Sequence, residues 1–560
     1  MSEHENDLLD RVLSSGAGLR RSTMVQALRD QLSQLRLNNP LSTLKLAQAP
    51  VDHLTIVPPD SWPGDARVGS DIVQGILRLG GQVIQLREPN WAPVGATPGF
   101  LSALHGFDWL HDLRALGGDT ARRQARLMVR SWIEHNTNPA AESWEPYLLA
   151  ERLSHWLGLY EFFCATADDD FRLLVIESLR KQARALQRHY SAVLPGYQRF
   201  LALRGLFFAG ISLPKGEAKI ALGLRALIPE LNAQILADGG QIQRNPFALL
   251  HTLRALIDIR SALRTGAQEI PDKLQYAIDR LTPALRFFRH ADGALAVFGG
   301  GREGNPALID AVLNQADARG RPLKSMPHVG FERLVSGRTC VLMDCGEPPP
   351  EPYTHGCTAG LLSFEMSVGR DRLIVNCGTH PGALPGWRKA LSATAAHSTL
   401  VLNDTNSLEL SDSGVGRRAH TVTCERMEEN GALWVEASHD GYEHLFKMLH
   451  FRRLYVGNGG DDVRGEDTLE GPAGQTYTIR FHLHPTVQAS LIQQGQAVLL
   501  ALPSGGGWRL RCTGGTLSLE DSIYCGREDE PRRTQQIVIT GTTEPEQTTI
   551  KWALQREKRI

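Results

Sequence analysis

Apolar residues recur about every 3.6 positions through the first part of the chain and about every two positions through the last part, with the change near residue 290. Leu224, Leu227, Ile228, Leu231 and Ile235 follow the helical spacing, as do Leu249, Leu250, Leu253, Leu256 and Ile257. Short Gly or Pro breaks separate such stretches over 101–289, which predicts antiparallel helices in series, as a bundle, solenoid or toroid. After His290-Ala291-Asp292-Gly293 the period shortens. Leu362, Phe364, Met366 and Val368 alternate with Ser363, Glu365 and Ser367, the pattern of a strand with one buried face. Thr339–Asp344, Arg372–Asn376, Thr399–Leu402, Leu433–Ala437, Ile479–His484 and Gln536–Thr540 are further expected strands. Helices first and strands afterwards imply an α+β chain, the strands forming an antiparallel sandwich. The expected units are an N-terminal segment over 1–100, helices over 101–289 and a sandwich over 290–560. Within the first unit, 7–37 reads as an amphipathic helix.

Composition narrows the function classes. The 560 residues are 42% hydrophobic and carry a formal net charge of -1. Large cores are therefore expected, and nothing global draws the chain to nucleic acid or to an anionic membrane. No apolar run is long enough to span a bilayer. The polar start, Met1-Ser2-Glu3-His4-Glu5, lacks the basic and apolar regions of a signal peptide, so a cytoplasmic location is expected. The eight cysteines form no C-x-x-C pair, which fits reduced thiols. His482 and His484 share one face of an expected strand; with no third ligand in view they read as polar sheet residues.

An ordered set of short motifs goes further. The helical half contains Trp144-x-Pro146, Arg152-x-x-x-Trp156, Arg199 to Leu206, and Asp238-Gly239-Gly240-Gln241-Ile242-Gln243-Arg244-Asn245-Pro246. The strand half contains Leu362-Ser363-Phe364-Glu365, Asn376-Cys377-Gly378-Thr379, Ala396-His397-Ser398-Thr399, Asp440-Gly441-Tyr442 and Gly465-Glu466-Asp467. Together they resemble the heparinase II/III family of polysaccharide lyases. The resemblance implies an incomplete (α/α) toroid before the β-sandwich, and β-elimination on a uronic-acid-containing polysaccharide or oligosaccharide. That reaction needs the sugar carboxylate neutralised, a base for the C5 proton and an acid for the leaving oxygen.

On that resemblance the expected catalytic residues are His355, His397, Gln243 and Asn245, with Arg199, Arg244 and His251 binding substrate. Gln243 and Asn245 would neutralise the carboxylate, and His355 or His397 would move the proton. Several family positions depart from the pattern. Ala248 and Leu249 stand where a Tyr-His pair is usual, and Thr358, Asn376 and His397 stand where some members hold a metal. No metal and no other cofactor is expected. The expected partner is an acidic glycan, with neither nucleic acid nor membrane; the oligomeric state stays open. Two alternatives stand beside the lyase: a catalytically degenerate carbohydrate-binding protein on the same fold, and a hydrolase using Asp238 and Glu365.

Overall fold

The computed structural model describes residues 53–138, 142–318, 320–380, 385–411, 414–527 and 531–557; the expected helix over 7–37 lies outside them. Helices fill the first half. The longer ones are Gly118–His135, Pro146–Gly158, Asp169–His189, Tyr197–Ser212, Glu217–Gln234, Pro246–Thr265 and Asp272–Phe287. Helix Tyr197–Ser212 is apolar almost all round and buried from Phe200 to Ser212, so its neighbours wrap it. Their shared core takes in Trp62, Ile72, Leu77 and Trp91 from the preceding segment. The Arg152-x-x-x-Trp156 motif belongs to this core. Arg152 is fully buried, lies 3.8 Å over the Trp132 ring, and donates to Gln182 Oε1 and the His105 carbonyl. No helix among the described residues is long and apolar enough to cross a membrane.

Among the described residues the strands of the second half form two large antiparallel sheets with a core between them, beside a small pair, Leu410–Ser411 and Gly414–Val415. The eight-stranded sheet runs Val422–Glu429, Ala432–Tyr442, Met448–Val456, Asp462–Gly471, Glu546–Arg556, Gly507–Thr513, Ala497–Ala501 and Gln488–Ile492. The nine-stranded sheet includes Thr339–Asp344, Phe364–Val368, Asp371–Val375, Thr476–Leu483 and Arg532–Thr542. Expected and observed strands coincide to within a residue or a few.

One expectation fails for a physical reason. Strand Phe364–Val368 does not have one wet face; all five residues are buried. Its polar face meets the helical half. The Glu365 carboxylate accepts from Val297 N–H and Asn376 N–H and lies 3.1 Å from His290 Nε2, while His290 Nδ1 meets Ser367 Oγ at 2.8 Å. Arg372 adds an ion pair to Asp292 at 2.7 Å. Polar alternation here encodes an interdomain seam, and buried polar groups need such partners. His482 is corrected in the same way. It is buried, with Nε2 3.0 Å from the Ala395 carbonyl and Nδ1 2.8 Å from Ser522 Oγ.

The Asp238 turn is a second clamp on that seam. Asp238 Oδ1 caps Gly240 N–H, and its Oδ2 accepts from His328 and Val329 N–H across the boundary. Gly239 has φ of 81°, and a Cβ there would lie 2.1 Å from the Arg280 carbonyl oxygen, so only glycine fits.

Candidate functional site

Helix periodicity builds a polar groove inside the helical half. On Pro146–Gly158, residues Tyr147, Glu151 and His155 are one helical turn apart and share a face. On Pro246–Thr265, the equivalent face carries Phe247, His251, Arg254 and Asp258. Tyr197 and Arg204 come from the buried central helix. Arg302 comes from the segment leading to the sandwich, and His380, on the loop after Asp371–Val375, lies near Arg302 and against Gly81. The Tyr197 and His251 rings are 6.0 Å apart, Phe247 and His251 4.3 Å, and the Arg302 guanidinium lies 4.3 Å over Phe247.

The charge states follow from burial and neighbours. Burial, with Arg254 and Arg302 beside it, pushes the His251 imidazole down to about 3, so it is neutral at pH 7. Burial raises the phenols of Tyr147 and Tyr197, outweighing the opposing pull of Arg302 on both. Both therefore stay protonated. Arg204 pairs with Glu151 at 2.6 Å and with Asp258 at 3.2 Å, which fixes the groove wall.

Beside these residues the exposed Asp108 and the buried His111 and His155 bring one ligand atom each within 4.8 Å of one another, a set that can hold a metal ion. Protons compete for it. His111 sits between two acids, with Nε2 3.0 Å from Asp60 and Nδ1 3.3 Å from Asp108. Burial lowers its pKa, but those carboxylates outweigh burial and raise it to about 9. Arg254 reaches the same Asp108 oxygen at 3.4 Å. A metal would have to displace an imidazolium already paired on both sides.

Of the seven residues expected from the sequence, His251 joins this cluster. Gln243 and Asn245 adjoin it through the backbone of Tyr197 and Phe247 without adding a free side chain to it. Gln243 is buried, and its Oε1 accepts from Tyr197 N–H at 2.8 Å and from Gln241 at 3.1 Å. It packs so closely under Gly196 that a Cβ there would come within 2.6 Å of Nε2. Asn245 is an N-cap, with Oδ1 accepting from Phe247 and Ala248 N–H and Nδ2 donating to the Gly299 carbonyl. Arg244 has φ of 56° and binds the Val329 and Gly330 carbonyls and Asp344 at the seam. Arg199 bonds the Val193 carbonyl and pairs with Glu230 at 3.1 Å. His397 is buried, donates Nδ1–H to the Ala393 carbonyl, and is pushed down to about 4 by burial. His355 is exposed on the loop whose Gly356 carbonyl abuts Gly300.

Two of the three positions aligned with the family's metal ligands, His397 and Asn376, are similarly engaged. Asn376 Oδ1 accepts from Ser398 N–H, and Nδ2 donates to the Val297 carbonyl. For the hydrolase alternative, Asp238 and Glu365 are both tied into the seam. Tyr147, Arg302 and His380 were missed by motif alignment. The first was visible as a stripe with Glu151 and His155 at helical spacing.

Comparison with known proteins matches this architecture. The profile described as Heparinase II/III N-terminus covers residues 103–316, and Heparinase II/III-like, C-terminal covers 318–553. A crystal structure of heparinase III superposes with a TM-score of 0.68 at 14% identity, covering 83% of this chain and 79% of that one. A heparan sulfate lyase HepC mutant from Pedobacter heparinus gives 0.60 at 15% identity over 99% of this chain and 91% of that one. FtsZ-localized protein C of Caulobacter vibrioides is 33% identical over 543 residues, 91% of this chain and 92% of that protein. With both domain profiles matched in order and a full-length relative at this identity, the chain belongs to the heparinase II/III-like family.

Proposed function

We propose that this chain is a catalytically degenerate lyase-fold protein that works by binding, and that it localises with FtsZ as its Caulobacter relative is named for doing. One observation carries the first part. The two amides expected to neutralise the carboxylate and one of the two imidazoles expected to move the proton are engaged inside the protein, while the other, His355, is exposed on a loop. Gln243 caps Tyr197, Asn245 caps its own helix, and His397 is turned onto the Ala393 carbonyl. The cytoplasmic location expected from the sequence fits eight cysteines that all carry free thiols.

A second reading rests on the groove itself. Arg302 would hold a uronate carboxylate, neutral His251 would accept the C5 proton, and Tyr197 or Tyr147 would protonate the leaving oxygen. The substrate would be an acidic glycan such as a glycosaminoglycan. With its imidazole pushed down to about 3, His251 is a weak base, which is why this reading stands second. Pelleting with FtsZ polymers, beside an ultraviolet assay for unsaturated uronide, separates the two. Pelleting without product supports binding. Product that is lost in His251→Ala supports the lyase.

A further inference from the structure

The outer face of the eight-stranded sheet carries a groove of about 1120 Å³, bounded on one side by Thr516 and Leu517 from an edge strand of the nine-stranded sheet, that shares no residue with the helical groove. Strand register sets its lining. Trp434 lies opposite Tyr455, Tyr455 opposite Arg464, Arg464 opposite Ala553, and Ala553 opposite Arg511. That row crosses five adjacent strands, or about 19 Å at the usual strand spacing. It puts two aromatic rings at one end and a small residue between two guanidinium groups at the other.

The row is chemically mixed in a particular way. Trp434 and Tyr455 are half-buried, with ring centroids 4.6 Å apart, and Arg464 lies 5.5 Å from the Tyr455 centroid. Arg511 is exposed and donates to the neutral Gln493 amide at 3.1 Å. Gln493 and Gln494 form the rim, both with positive φ, 53° and 56°. Two consecutive non-glycine residues in the left-handed region store strain, of the kind that clusters where side chains must be aimed. The groove-lining charges are Arg453, Arg464, Arg511 and Lys551 against Glu466. Arg464 also pairs with Asp462, Arg453 with Glu436 and Lys551 with Glu466, so Arg511 is the cation whose partner here is neutral.

The ladder decides between occupants. The central strands, Met448–Val456, Asp462–Gly471 and Glu546–Arg556, are each paired on both sides. An added peptide strand would find no open backbone edge there. Recognition must come from side chains: ring faces, cations, and amides that both donate and accept. These suit a sugar ring, its acid group and its hydroxyls.

We propose that this groove is a second binding site, taking an acidic oligosaccharide chain. Sugar rings stack on Trp434 and Tyr455, carboxylates sit between Arg464 and Arg511, and hydroxyls meet Gln493 at the rim. The test is calorimetric titration of the full chain with a short oligogalacturonate. A neutral maltooligosaccharide and a polyglutamate peptide of the same length serve as comparisons. Trp434→Ala and Arg511→Gln should each weaken oligogalacturonate binding about tenfold. The urea midpoint should be unchanged for Arg511→Gln, whose side chain is exposed, and should fall only slightly for Trp434→Ala, which loses one cross-strand ring contact. Arg123→Gln, an exposed cation of the helical half outside both grooves, should leave binding intact. The proposal is overturned if neither sheet variant weakens binding, if Arg123→Gln abolishes it, if polyglutamate binds as tightly, or if no oligogalacturonate binds at all.

Discussion

Replacing Arg244 with alanine should damage the fold and leave glycan recognition untouched. Its guanidinium donates to the Val329 carbonyl at 2.8 Å, the Gly330 carbonyl at 3.1 Å, and Asp344, and lies 4.9 Å over the Phe331 ring. All of these groups are buried, and they join the two halves of the chain. Removing one partner of a buried ion pair costs about 3–5 kcal/mol, because the other charge remains. Asp344 has an escape. Burial raises its carboxyl pKa, and Arg244 opposes this without cancelling it. Once Arg244 is gone the carboxyl protonates more readily, which caps the loss near the lower figure, about 3 kcal/mol.

Urea unfolding followed by tryptophan fluorescence reads this out. Trp62, Trp91, Trp109, Trp132, Trp144 and Trp156 all lie in the helical core and report its release. The deficit of Arg244→Ala should shrink as pH falls and Asp344 takes up its proton. Adding Asp344→Asn should recover part of it, since the stranded charge is then absent. A variant within about 0.5 kcal/mol of wild type would refute the reasoning and return Arg244 to the list of ligand-binding residues.

Three further outcomes follow. His111 is raised to about 9 in the fold, so its contribution is complete below its ordinary value near 6.5 and is lost as pH rises through about 9; His111→Gln should flatten that alkaline loss in a stability profile. Burial raises the Glu303 carboxyl, but His484, Arg372 and Tyr524 outweigh it and hold the group at about 2. Its contribution is therefore present above about pH 4.5 and disappears as pH falls toward 2, and Glu303→Gln should remove that acid dependence. Gln243→Ala, which deprives Tyr197 N–H of its acceptor, should cost about 1 kcal/mol by urea titration without changing oligosaccharide affinity.

The architecture was legible because burial periodicity is a local signal. The long helices end at Phe287, close to the switch in rhythm near His290, but a further helix, Pro306–Gln315, precedes the first strand of the sandwich at Ser325; the strands expected from alternation, from Thr339 onward, are present. The use of the polar positions was not legible. Ser363, Glu365 and Ser367 look like a wet face because their partners, His290 and Val297, are distant in sequence. Gln243 and Asn245 show the same ambiguity at the candidate site. An amide that can neutralise a carboxylate can equally cap a helix, and one sequence does not say which end of it faces a cavity. The helical groove was written into the chain as stripes, Tyr147-Glu151-His155 and His251-Arg254-Asp258, each at helical spacing. Matching the family's motifs drew attention to the turn that precedes the second stripe instead.

On the proposed function, this family member binds without cleaving. The most direct measurement is a long incubation of the full chain with a panel of uronic-acid oligosaccharides, followed by ultraviolet absorbance for the conjugated unsaturated uronide. FtsZ co-pelleting is run on the same preparation. The account predicts no product above buffer and retention on FtsZ polymers. Unsaturated product that forms with wild type and vanishes in His251→Ala or Arg302→Ala would contradict it, and would make the helical groove an active site.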